Sequence, residues 1–583
     1  MTVDREYVHS VECDDDKIVY ADFDIVELRY SFTFLAVEAG EASIHFNSAL
    51  PDTFNFKSTD VKLLARIAYN LYFHPLAHVP GPFWARASGI PSWYYAYTGK
   101  RHIWLCQQFQ TYGNRIRPEP NTVIFRDPEA HADIYSMKSN VRRSSFYKAL
   151  NNKNKATTLD TIDVAQHAWK RKILNLCFTE KSLTAACGFI IKHVDRWNDL
   201  MLDKIDGDGW SAPVDFTEKI DELAFDIMGD LCFGRSFNVK EPGKNRLKEV
   251  PHCITQYLLF YYPFCRSPFL NTLNWLKPRG LNKVFDLISP QAIKQYNKFV
   301  YDSVTSRIAL QKEQARQAEA NRRQDLFYFL YEARDPDTSQ PAYGEDDLRS
   351  ESNLLIIAGS DTTSVSLSGI FFYLTGDQRR CQKLADEISS CFESVEDIVY
   401  GPKILACTYL KACIDEGMRL TPAGVCELPR EALPGGILIK GEHYPEGTIV
   451  GTATWANSRN DEVYGDACVF RPERWIVDDS YGTTKEEVAR LKRNFYPFSS
   501  GAYNCVGKNL AMAEMMIIVA RTLYRFEMRR APGSTLGCGR PDLGWGSTDE
   551  HQFQLVDAYI SLRHGPEVQF KNRVSAAPQW DMS

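Results

Sequence analysis

Ten residues near the C-terminal end limit this chain more than any others. They run from Phe498 to Gly507, F-S-S-G-A-Y-N-C-V-G, and lead into a helix-forming stretch, Lys508–Phe526. A cysteine just ahead of a helix stands among unpaired backbone N–H groups at the positive end of the helix dipole, which favours the thiolate. Gly501 and Gly507 permit backbone conformations and close approaches that a Cβ would block, as a flat group lying against the loop requires. A thiolate held in this way ligates a metal or acts as a nucleophile. The plain alternative is one more buried structural cysteine among the 15 of the chain. These are odd in number, scattered and without a C-x-x-C pair, which suits a reducing compartment better than a disulfide scaffold.

The rest of the chain reads as a packed globule, 44% hydrophobic and 24% charged, and its net charge of −6 gives no basic field for nucleic acid. Residues 1–60 carry no motif and no signal peptide, and their best apolar run, Tyr30–Val37, is far short of the ~20 residues that cross a bilayer. A Pro-Gly-Pro at 80–82 is stiff punctuation before the main body. Tyr112–Ser136 predicts a strand pair and then a helix opened by Asp127-Pro128, and Thr217–Gly234 predicts a core helix. Tyr257–Cys265 and Phe269–Leu281 are aromatic and broken by proline, either core or an apolar lip resting on a membrane. Ser306–Arg323 reads as a charged helical face without chemistry. Ile437–Lys440 and Thr448–Thr454 read as one small sheet, which the alternating stretch Phe553–Arg563 closes.

Four further constellations carry chemistry. His167 and Arg171 stand at i and i+4 on one helical face, as an anion clamp or a solvated basic face. Asp347–Leu374 is a long apolar helix interrupted by Ala358-Gly-Ser-Asp-Thr-Thr363, an acid beside alcohols where propensity disfavours both. Such a pair can deliver protons into a dry pocket. Glu416 and Arg419 form an i, i+3 ion pair, worth only ~0.5 kcal/mol if exposed. Downstream stand Arg430 and the run Arg471-Pro-Glu-Arg474-Trp475.

In this order the motifs resemble the cytochrome P450 monooxygenases. The cysteine loop is similar to their haem signature F-x-x-G-x-R-x-C-x-G at Phe498, Gly501, Cys505 and Gly507, with Tyr503 where that family usually has Arg. The six residues from Ala358 are similar to the family's A/G-G-x-D/E-T-T/S, and Glu416, Arg419 and Arg474 to its buried triad. The resemblance implies a mainly α fold with a small β region, one large cytochrome P450 domain over residues 61–583. A divergent segment, 1–60, precedes it without a clear membrane anchor.

It further implies haem b, ligated at iron by Cys505, whose sulfur accepts from N–H groups near Val506 and Gly507. His167, Arg171 and Arg430 would bind the haem propionates, fewer charges than usual given Tyr503. Gly359 would leave room for O2, and Asp361 and Thr362 would relay protons. Glu416, Arg419 and Arg474 would lock the loop behind the haem. Electrons would come from a separate NADPH–cytochrome reductase, docking near Lys508 and Lys172. The substrate would be an apolar small molecule of fungal secondary metabolism, facing Leu355, Ala358 and Ala423–Leu428. The family prior is the cytosolic face of the endoplasmic reticulum, with a cytoplasmic or peripheral membrane placement as the other reading. Two rivals stand beside the monooxygenase: a haem-thiolate isomerase or dehydratase that needs no O2, and a decayed haem-binding protein.

Overall fold

In this computed structural model, which describes residues 58–150, 155–205, 209–316 and 322–573, three helices begin on an aspartate that the sequence supplies as a cap. A hairpin of β1 (Arg115–Glu119) and β2 (Thr122–Phe125) leads to α1 (Pro128–Tyr135), opened by Asp127, which accepts from the Glu129 and Ala130 N–H groups. β3 (Val141–Arg143) precedes α2 (Val164–Asn175), capped by Asp163. β4 (Val214–Asp215) feeds α3 (Phe216–Phe233), which Asp215 caps and left-handed Gly234 ends. Then come α4 (Val250–Cys265), the 32-residue α5 (Glu345–Gly376) and α6 (Thr408–Leu420). β5 (Arg430–Ala432), β6 (Ile437–Ile439), β7 (Glu442–Tyr444) and β8 (Ile449–Thr452) follow. The cysteine loop opens α7 (Lys508–Arg525), and β9 (Phe526–Arg530), β10 (Val556–Ala558), β11 (Ile560–Leu562) and β12 (Glu567–Asn572) finish the described chain.

The main sheet has the order β1-β2-β8-β5-β3, with only β2 and β8 parallel. One register in it matters for the site: antiparallel β3 and β5 set Arg142 opposite Glu431 and Arg143 opposite Arg430. α5 threads the core, packed along α3 and α6, and is buried almost without break from Thr363 to Thr375. It is long and apolar enough to cross a membrane, but 67% of that apolar window is buried by the fold, as in a core helix.

The long helix expected over Asp347–Leu374 stands, and it runs unbroken through the polar residues Ala358–Thr363, where Ser360 and Thr362 donate to the carbonyls of Ile356 and Ala358 at 2.7 and 2.6 Å and so satisfy themselves within the helix. Three other expectations are corrected. α4 runs through Pro263 to Cys265 rather than breaking there. Ile437–Ile439 pairs with β7 in its own ribbon, while Ile449–Thr452 joins the main sheet, and Phe553–Arg563 contains a separate β10–β11 hairpin. The charged face Ser306–Arg323 hides a buried Arg307 that donates to Asp325 at 2.9 Å.

The chain divides into two units, Met1–Arg66 and Ile67–Ser583, and every site residue lies in the second. The expectations for residues 1–57, Tyr30–Val37 included, fall outside the described residues. Among the described residues every cysteine is free.

Candidate active site

The loop before α7 presents Cys505 with its surface open while its neighbours from Phe498 to Val506 are half-buried. The Cys505 N–H donates to the Phe498 carbonyl at 2.9 Å, closing the loop on itself. Although its surface is open, Cys505 lies deep enough in the fold that desolvation pushes the thiol up, opposed by the Gly507 and Lys508 N–H groups and by the charges of Arg171 and Lys508. Gly507, which the sequence reading also named, and Lys508 are thus the N–H groups that favour a negative sulfur. A sulfur set at a helix N-terminus and supplied with donors is suited to carry negative charge as a metal ligand.

Gly501 has φ +67° and a Cβ there would fall 2.0 Å from the Tyr135 carbonyl oxygen, so glycine is required by the loop's seat on α1. Gly507 is different: a Cβ there meets nothing nearer than 3.9 Å, from Cys505 Sγ and Phe178. The protein's own packing leaves that space clear beside the sulfur.

Arg171 and His167 separate in role. The Arg171 guanidinium donates to Asn175 Oδ1 at 2.9 Å, to Asn504 Oδ1 at 2.5 Å and to the Asn504 carbonyl, which ties α2 to the residue before Cys505. His167 is buried with its Nε2 unpartnered, and its pKa is pushed down to about 3 by burial and by Arg143, Arg171 and Arg430. It is a neutral imidazole with a free hydrogen-bonding atom. The Tyr503 ring tilts against it at 4.4 Å between centroids, and Arg143 and Arg430 each lie 5.0 Å from the centre of the same ring.

On α5, residues 357–359 together with Asp361 and Thr362 are partly open, whereas Thr363–Thr375 is buried throughout. The Asp361 pKa is pushed up to about 7, first by burial and then by Asp221, with Arg563 opposing. Asp221, Arg563 and Ser364 bond to one another, Arg563 reaching the Ser364 hydroxyl at 2.5 Å. A Cβ added at Gly359 would fall 2.6 Å from the Cε of Met228 of α3. That glycine lets α3 and α5 approach, a packing reason that the expectation of space for O2 did not contain.

The triad is complete. The Arg419 Nε and a terminal nitrogen donate to the Glu416 carboxylate at 2.8 Å, Arg474 Nε donates at 3.0 Å and Trp475 Nε1 at 2.9 Å, all four residues being buried. The two guanidiniums also donate to the carbonyls of Ser458, Ala467, Tyr464, Asp466 and Val469. Of the expected substrate wall, Leu355 is buried and Ala358 partly open, but Glu427 faces away, held by Arg101 and Arg266 at 2.6 Å each.

Sequence reasoning missed Arg143, Tyr147, Asn504 and Glu514. Glu514 is buried on α7 with Oε1 unpartnered, and burial pushes it up to about 8. Its signal was an acid inside the apolar run A-M-A-E-M-M-I-I. Arg143 had none without the strand register.

A group that fits here must accept a sulfur ligand, lie flat on the loop and bring anionic oxygens to His167 and to guanidiniums that lack a carboxylate. Haem with its two carboxylates meets all three requirements. The family model for cytochrome P450 matches residues 92–537. The chain is 32% identical over 525 residues to cytochrome P450 monooxygenase fscF of Fusarium equiseti, covering 89% of this chain and 96% of that protein. It is 30% identical over 513 residues to cytochrome P450 monooxygenase AKT7 of Alternaria alternata, covering 87% and 95%. It is 31% identical over 525 residues to cytochrome P450 monooxygenase apf7 of Gibberella fujikuroi, covering 87% and 95%.

Proposed function

The chain belongs to the cytochrome P450 family, and from that premise we propose how its own residues carry out a monooxygenase reaction. The family makes it an oxidoreductase that uses haem with a cysteine thiolate ligand, a small-molecule substrate, O2 and a redox partner. When bound, thiolate-ligated haem supplies the oxygen chemistry, insertion of one oxygen atom into a C–H bond. Cys505 supplies the ligand, and the observation that carries this reading is its exposed position just before the N-terminus of α7, where the Gly507 and Lys508 N–H groups favour the thiolate. His167 and Arg430 hold the haem carboxylates, and Arg171 holds the loop through Asn504. Asp361, near neutrality in its pKa, takes up and releases a proton at its carboxyl oxygen, with Thr362 Oγ1 beside it as the second proton-bearing atom. Glu416, Arg419 and Arg474 brace the floor behind the loop.

The substrate we assign is an apolar molecule of fungal secondary metabolism, accepted against Leu355, Ala358 and the half-open Ala423–Gly424 turn. Electrons arrive from a separate NADPH–cytochrome reductase docking at exposed Lys508 and Lys172. Exposed Tyr94 and Tyr97, on a helix fastened to α4 by Trp93 Nε1 donating to the Pro263 carbonyl at 3.1 Å, and exposed Phe269 and Trp275 just after α4 are the large apolar side chains we assign to peripheral contact with a membrane. That placement suits the cytosolic face of the endoplasmic reticulum.

The reduced, CO-bound protein is expected to show a thiolate-type Soret band that Cys505→Ala abolishes together with turnover. A Cys505→Ala protein with unchanged spectrum and turnover overturns the reading. Turnover without O2 or reductase would favour the isomerase or dehydratase instead.

A further inference from the structure

Two sulfurs meet away from the site, at the seam between the helix Gln378–Cys391 and the start of α6. Glu387 and Cys391 stand one turn apart on one face of that helix. The Glu387 carboxylate accepts the Tyr409 and Leu410 N–H groups at 2.8 and 2.7 Å. It thereby caps α6, whose own N-cap residue, Cys407, makes no capping bond through its side chain. One turn on, Cys391 stands against that same Cys407, and the two thiols hydrogen-bond to one another. On the far side of the pair, Lys403 Nζ lies 5.1 Å from the centre of the ring of Phe392, the residue after Cys391. Cys407 Sγ lies 3.6 Å from the Lys403 carbonyl oxygen. Contacts on both sides thus hold the two sulfurs in register.

The pair is unequal. Cys407 is fully buried, and burial, followed by Cys391, pushes its thiol up to about 12, so it stays protonated. Cys391 has open surface, which only Cys253, Cys468 and Cys505 share among the other described cysteines. A solvent-borne oxidant therefore reaches Cys391 first.

We propose that Cys391 and Cys407 form a redox modification site, a dithiol that hydrogen peroxide converts reversibly to a disulfide joining the helix Gln378–Cys391 to the start of α6. The Cys391 thiolate attacks one peroxide oxygen: an S–O bond forms and the O–O bond breaks. The hydroxide that leaves takes up the proton given up by the Cys391 thiol. The Cys407 sulfur then displaces the hydroxyl from the Cys391 sulfur, forming the S–S bond, and that hydroxyl departs as water with the Cys407 proton. Two thiols are oxidised to one disulfide while peroxide is reduced to two waters, and a thiol reductant reverses the change by exchange. Because α6 carries Glu416 and Arg419, the bond anchors the helix that braces the cysteine loop.

The test treats the holoenzyme with limiting hydrogen peroxide, alkylates the remaining thiols, digests without reductant and reads the peptides by mass spectrometry. Trypsin cuts after Lys383, Lys403 and Lys411, so each of the two peptides, Leu384–Lys403 and Ile404–Lys411, carries one cysteine. The oxidised parent is expected to give these peptides joined, lighter by two hydrogens than the separate thiols, and parted by dithiothreitol. Separately alkylated Cys391 and Cys407 in the oxidised parent overturn the proposal. In Cys407→Ser the sulfenic acid at Cys391 is expected to persist and be captured by dimedone, whereas Cys407 in Cys391→Ser is expected to stay a thiol. The reverse pattern overturns the proposed order of attack. Melting is the second readout: the linked parent should melt about 2–5 °C above its reduced form, a gain that neither serine variant shows. Equal melting of the two forms overturns the staple. Peptide mapping of the parent needs no variant, so the proposal stays refutable if a serine variant fails to fold. Its outcome is read in thiols and is distinct from failure of the haem reading, which the CO spectrum reports.

Discussion

Arg419 and Arg474 are buried around one carboxylate, whereas Arg143 and Arg430 are buried around none. The first pair is finished by the chain alone: Glu416 and five backbone carbonyls meet its donors, and Trp475 donates to the same carboxylate. The second pair rests on neutral acceptors alone, and the Nε of each arginine has no partner. Acids repeat the contrast. Burial would raise Glu416, yet Arg419 and Arg474 hold it below the usual carboxylate range, while Asp361 is driven up to about 7 by burial and by Asp221. Completed charge clusters therefore mark scaffold, and uncompleted ones mark the surfaces where chemistry arrives.

The largest effect expected is from opening the finished cluster. Glu416→Gln leaves two buried guanidiniums facing a neutral amide, and should cost about 3–5 kcal/mol of stability, measured by thermal or urea unfolding. A loss below 1 kcal/mol would erase the distinction between the two arginine pairs. Next, Asp361→Asn should lower kcat about 10²-fold with little change in substrate binding, measured as turnover against pH. The protonated carboxyl is present below its pKa, so in the parent protein the proton-donating form declines as pH rises through about 7. In Asp361→Asn that limb should be absent. The same group bears on stability: its folded pKa lies above the ordinary value near 3.9, so its contribution is full below about pH 4 and lost as pH passes about 7.

Tyr147→Phe sharpens the comparison from the other side. It removes a neutral acceptor from Arg430, and should cost about 1 kcal/mol without abolishing haem binding, checked by unfolding and by haem content. The smallest effect is expected from Glu431→Gln: its partnership with Arg142 is partly exposed, so a change under about 1 kcal/mol should appear in urea unfolding.

The parts of the fold legible in the sequence were those set by local chemistry. Asp127 and Asp163 announce their helices because an N-cap acts over three residues, and α3 ends where Gly234 permits the left-handed turn. Strand partnership was not legible in the same way. Ile437 and Ile449 look alike as apolar strand starts, and only long-range register sends one to a two-stranded ribbon and the other to the main sheet. The site divides likewise. Cys505, Asp361 and Glu416 lie in short patterns whose chemistry is local, but Arg143 becomes meaningful only once β3 is laid beside β5. Gly359 was legible as a small residue in a special place, though not as the contact that admits Met228.

Ser360, Thr362, Ser366, Ser368 and Thr375 each donate to the carbonyl four residues back along α5. That strut gives each of these hydroxyl protons an acceptor on its own backbone, and Ser368 in addition accepts from Thr217 and Arg563. Surrounding walls are thereby free to drift in sequence, so a lineage can change which molecule it accepts while the beam through its middle stays as it is.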